Sequence, residues 1–131
     1  VLKIDGFDTK AYQRRLILLR EIISGENQTD FAARLGIPMK RWSNYERGYP
    51  IPRETAFVIM NKFPGMSVEW IWFGAIGNLS EHYRKRIETA EKYLRDREAA
   101  EREVAKAQSR LADVAKKKAR ALPPARMARA R

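Results

Sequence analysis

The distribution of glycine and proline sets the tightest limit on what this chain can fold into. They interrupt residues 1–79 at short intervals, and neither occurs from Ser80 to Lys118. A backbone broken so often holds only short elements, whereas a long unbroken run of Glu, Lys, Arg and Ala favours one extended helix. Three regions follow: a compact domain at 1–78, a long charged helix at 79–122 and a basic tail at 123–131, set off by Pro123 and Pro124. The tail is expected to be disordered.

Within the first region, apolar spacing and cap residues predict five helices. Asp8 or Thr9 caps the first, which runs to about Ile23 with Tyr12, Leu16, Leu19 and Ile23 on one face. Asn27 caps the second, which stops at Gly36, and the third fits between Pro38 or Met39 and Arg47. Pro52 suits the start of the fourth, ending near Phe63; Ser67 caps a fifth that ends at Gly74. No stretch alternates at period two, so the expected fold class is all-α.

The long helix carries two apolar stripes. Tyr83, Ile87, Ala90 and Leu94 form one, and Ala100, Val104, Ala107, Leu111 and Val114 form another, with a break in phase around Arg97. Pairs such as Glu88/Lys92 and Glu98/Arg102 support helix on the charged faces. Dimerisation, folding back onto the compact domain, and a solvated helix awaiting a protein partner are all compatible with this pattern.

Several function classes are disfavoured. The chain has no cysteine, so disulfides, thiolate metal sites and cysteine nucleophiles are excluded, and with His82 as the single histidine no transition-metal site is expected. No nucleophile elbow, phosphate loop or carboxylate dyad can be placed, so neither an enzyme nor a cofactor is expected. Val1–Lys10 includes Asp5 and Asp8 and lacks the apolar run of a secretory signal, and no later apolar run reaches the roughly 20 residues that span a bilayer. A cytoplasmic protein without a membrane partner is expected.

Net charge is +11, and it is unevenly spread: residues 1–79 hold 11 Lys/Arg against 8 Asp/Glu, while residues 80–131 hold 16 against 8. Such a chain favours a polyanionic partner.

Charge alone does not choose among nucleic acid, an anionic membrane surface and an acidic protein; the second and third helices carry a further pattern. Phe31, Ala32, Leu35, Ile37, Trp42 and Tyr45 mark buried positions; Ala32 is small enough for a close helix crossing, and Gly36 tolerates the backbone of a tight turn. The run Asn27-Gln28-Thr29-Asp30-Phe31-Ala32-Ala33-Arg34-Leu35-Gly36-Ile37, followed by Trp42-Ser43-Asn44-Tyr45-Glu46-Arg47-Gly48, resembles the Cro/C1-type (XRE) helix-turn-helix regulators. Pro52 and Ser67–Gly74 resemble that family's fourth and fifth helices, so the likeness covers about residues 9–77.

The resemblance implies a five-helix repressor-like domain whose third helix lies in the major groove of double-stranded DNA. Met39, Lys40, Ser43 and Asn44 would then face base edges, with Arg41 at the groove margin. Gln28 and Arg47 would contact phosphate, and Glu46 would pair structurally with Arg20. It also implies a nucleoid-associated homodimer reading two half-sites. Three departures stand out: Glu26 falls where a buried Leu is common, Pro38 replaces a Ser or Thr cap, and Trp42 exceeds the usual aliphatic residue. The alternative is an antitoxin-like protein that grips a partner protein through residues 80–131 and binds DNA for autoregulation.

Overall fold

A computed structural model describes residues 7–122; the tail expected at 123–131 lies outside the described residues. The fold is all-α, with no strand among the described residues. The elements are α1 (Thr9–Ile17, continuing as a π-helix over Leu18–Ile23), α2 (Gln28–Leu35), α3 (Met39–Glu46), α4 (Arg53–Lys62), α5 (Val68–Phe73) and α6 (Glu81–Ala121).

The caps follow from local side chains. Asp8 accepts the Ala11 N–H at 3.1 Å, Asn27 the Asp30 N–H at 2.8 Å and Ser67 the Trp70 N–H at 3.4 Å. Ser80 performs the same service for α6, accepting the Tyr83 N–H at 3.2 Å.

The first helix departs from the single α-helix that its spacing predicts. Over its last turns the hydrogen bonds reach one residue further, as where the Ser24 N–H donates to the Leu19 carbonyl at 2.9 Å. A π-turn holds an extra residue without breaking the helix. Leu18 and Leu19, adjacent in sequence, are thereby both buried, together with Ile23.

Core packing is aromatic at its centre. Phe31 and Trp42 have ring centroids 4.6 Å apart, Phe63 lies 5.9 Å from Phe31, and both Phe31 and Trp42 are fully buried. Around them α1 packs on α3 and α5, and α2 on α3 and α4. Arg15 ties α1 to the end of α5, donating from Nε to the Ile71 carbonyl and from Nη2 to the Trp72 carbonyl, both at 2.8 Å. Those are last-turn carbonyls, which a cation near a helix C-terminus satisfies. Trp72 itself is half-buried and lines a groove of about 410 Å³ with Phe57, Met60 and Val68.

The chain divides into two compact units, one ending at Leu94 and the other beginning at Arg95. The first unit therefore extends past the boundary at 78 that composition suggests. Tyr83, Ile87, Ala90 and Leu94 are all buried, so the first apolar stripe of α6 completes this unit's core. In the second unit every residue from 99 to 122 is exposed.

Gly65 tests how α6 begins. Its φ is +95°, its carbonyl accepts the Ser80 N–H at 2.9 Å, and an added Cβ would stand 2.6 Å from Ser80 Oγ and 2.8 Å from Ser80 Cβ. Gly65→Ala is expected to lower stability by about 1–3 kcal/mol, combining left-handed strain with that clash. Urea unfolding checks this; an unchanged midpoint would show that the α4–α5 turn can move away from Ser80 at no cost.

Candidate nucleic-acid interface

The turn between α2 and α3 is built by Gly36, Ile37 and Pro38. Gly36 sits in the left-handed region at φ +72°, and the Ile37 N–H donates back to the Ala32 carbonyl at 3.0 Å, closing the end of α2. Pro38 supplies no side-chain cap to α3, but its carbonyl accepts the Arg41 and Trp42 N–H groups at 3.0 and 3.3 Å. The helix thus starts at Met39, its first three side chains in water.

Glu46, at the other end of α3, fixes the helix. Its carboxylate is buried and accepts Arg20 in a fork, Nε to Oε2 at 2.5 Å and Nη2 to Oε1 at 3.0 Å. Gln28 Nε2 donates to Oε1 at 3.0 Å, and Trp42 Nε1 donates to Oε2. Its backbone carbonyl accepts Gln13 Nε2 at 3.1 Å. One residue therefore joins α1, its π extension, α2 and α3. The Arg20–Glu46 pair implied by the family resemblance is present, with more partners than that resemblance supplied.

A second anchor holds the link that follows α3. The Tyr12 hydroxyl donates to the Tyr49 carbonyl at 2.8 Å and accepts the Ile51 N–H at 3.0 Å. Burial pushes this phenol well above the ordinary tyrosine pKa, so it stays a donor throughout the physiological range.

With α3 clamped at its C-terminal end, the candidate residues take definite places. Met39, Lys40, Arg41 and Arg47 are exposed, and Ser43 and Asn44 are half-buried. Met39 is 45% exposed and directly precedes two cations, Lys40 and Arg41. Asn44 Oδ1 accepts from Arg47 Nη2, which groups these two residues near the end of the helix. Gln28 is half-buried, its amide committed to Glu46. The structure therefore places Met39, Lys40, Arg41, Ser43 and Asn44 on one short helix and Arg47 at its C-cap, and gives Gln28 a bracing contact that its sequence position did not disclose.

Sequence reasoning also passed over Tyr49. It is 50% exposed, and its N–H donates to the Asn44 carbonyl at 3.2 Å, which holds it beside the end of α3. An aromatic directly after the Arg47-Gly48 turn was the available signal.

Glu26, placed by sequence where a buried Leu is common, is half-buried and paired with Arg34 at 2.8 Å. A carboxylate can occupy that place because Arg34 and the Ser24 hydroxyl both donate to it. Among the described residues no three His, Cys, Asp or Glu side chains gather as a metal site, and no helix is long and apolar enough to cross a membrane. Comparison with family models, curated proteins and solved structures finds no match.

Proposed function

We propose that this chain is a sequence-specific DNA-binding transcriptional regulator, a repressor of the Cro/C1 type that reads the major groove with α3. The observation that carries the reading is the pairing of an exposed Met39–Lys40–Arg41 start with an end held by the buried Glu46 fork. Base reading needs side chains in water on a backbone that does not move, because an ill-placed donor cannot discriminate between base edges. Lys40 has the chemistry to donate to guanine O6 and N7, and Asn44 to pair with adenine once it exchanges its Arg47 contact. Met39 suits a thymine methyl, while Arg41 and Arg47 suit phosphate. Two copies would read an inverted repeat, since one module of this size contacts too few bases for high specificity.

Selecting bound sequences from random duplex DNA at physiological salt tests the proposal. A symmetric consensus is expected; recovery of unenriched sequence would refute it. The Asn44→Ala variant is expected to relax preference at one position in each half-site, at about 1–3 kcal/mol against the best base. Uniform weakening on every sequence would instead reassign Asn44 to backbone contact.

A further inference from the structure

From Arg95 onward the helix presents a face for which the DNA reading has no use. Val104, Leu111 and Val114 are 56%, 69% and 51% exposed on a helix otherwise made of charged residues, alanine, Gln108 and Ser109. With Ala100 and Ala107 they recur at alternating spacings of four and three, the seam of a coiled coil in which Val104 and Leu111 take the a positions and the others the d positions.

We propose that this seam pairs with the same seam of a second copy of this chain, in antiparallel orientation, with Val104 against the partner's Ala107 and Leu111 against the partner's Ala100. The inference deepens the two-copy part of the proposed function and rests on it only for the number of copies. Side-chain size gives the first reason. Antiparallel pairing sets a positions against d positions, so the layers made by Ala100, Val104, Ala107 and Leu111 each join one branched side chain to one alanine and stay evenly spaced, while Val114, at the end of the seam, falls opposite the partner's Arg97. Parallel pairing would set alanine on alanine and leucine on leucine, alternating thin and thick layers along the same seam.

Charge gives the second reason. In this register the flanking positions bring Glu103 to the partner's Arg110 and Asp96 to the partner's Lys117, each contact occurring twice by symmetry. The parallel arrangement would place Asp96 against the partner's Glu101 and Lys118 against its own counterpart. All of these side chains are exposed. The same residues thus attract in one orientation and repel in the other, which is how flanking charges choose a partner.

The chain has no cysteine, so single thiols can be introduced cleanly. Full-length Val104→Cys and Ala107→Cys chains would be oxidised without DNA, separately and after mixing under reducing conditions. A disulfide confined to the mixture is expected, because the Cβ atoms must approach within bonding range. Efficient self-cross-linking of either chain alone would overturn the orientation. In sedimentation equilibrium, Glu103→Arg should raise the dimer dissociation constant roughly tenfold by turning two attractions into repulsions, and adding Arg110→Glu should restore it. A chain that stays monomeric at high micromolar concentration, or a dimer indifferent to Glu103→Arg, would overturn the proposal. None of these measurements involves DNA, so their failure is distinct from a failure of the base-reading face.

Discussion

Arg20→Ala is expected to lower stability by about 3–5 kcal/mol, the range for breaking one side of a buried ion pair. The Arg20 and Glu46 side chains are 12% and 6% exposed, so water cannot replace what is lost. Exposed ion pairs, by contrast, contribute at most about 1 kcal/mol. With Arg20 gone the carboxylate would keep Gln28 and Trp42 as donors but no compensating charge, and the Glu26 carbonyl would lose its 3.0 Å contact from Arg20 Nη1. Arg20→Lys should recover only part of the loss, since an ammonium cannot reproduce the two-toothed fork. Urea unfolding measures both variants. A loss below about 1 kcal/mol for Arg20→Ala would mean that Glu46 is solvated like a surface residue, and the explanation of why α3 holds its position would fail.

That result also bears on function. The fork lies at one end of α3 and the exposed strip begins at the other end of this eight-residue element, which spans Met39–Glu46. Loosening the clamp should therefore weaken duplex binding under conditions where the chain is still folded, although Arg20 need not touch DNA.

How much of this was legible in the sequence depended on the range of the interactions involved. Caps are local: Asp8, Asn27 and Ser67 each bond to an amide three residues on, so their position beside an apolar run was enough. The two stripes of α6 were legible as patterns, but periodicity cannot say which one a core will cover. The structure buries the stripe at Tyr83–Leu94 and leaves the one at Ala100–Val114 exposed. The π-turn at Leu18–Ile23 escaped because its signal is a shift of one residue in a hydrophobic run, where the usual helical spacing also fits.

At the candidate interface the exposed residues were readable and their bracing was not. Met39, Lys40 and Arg41 follow a proline at a helix start, where side chains point into solvent unless a neighbour covers them. Gln28 looked equally exposed, yet its amide is drawn to a carboxylate 18 residues away in sequence. Nothing local to Gln28 encodes that contact, which arises only once α2 and α3 have packed.

Lys40→Ala/Arg41→Ala is expected to weaken binding to the selected duplex by roughly 100- to 1,000-fold, since each base contact is worth about 1–3 kcal/mol and a two-copy complex loses it twice. The two residues should fail differently. Arg41→Ala alone should lower affinity evenly across sequences and flatten the salt dependence by about 0.9 in log–log slope for each phosphate contact removed. Lys40→Ala alone should erode the preference for guanine at its position. A matched control is needed because the chain carries +11, and any loss of charge weakens non-specific attraction to a polyanion. Arg102→Ala/Lys106→Ala removes the same charge from the exposed helix at positions off the apolar seam. Competition binding at two salt concentrations separates the cases. A deficit at the selected site several-fold deeper for the α3 variant than for the control is expected. Equal deficits would mean that the basic character of the whole chain, rather than the side chains at the start of α3, is what meets DNA.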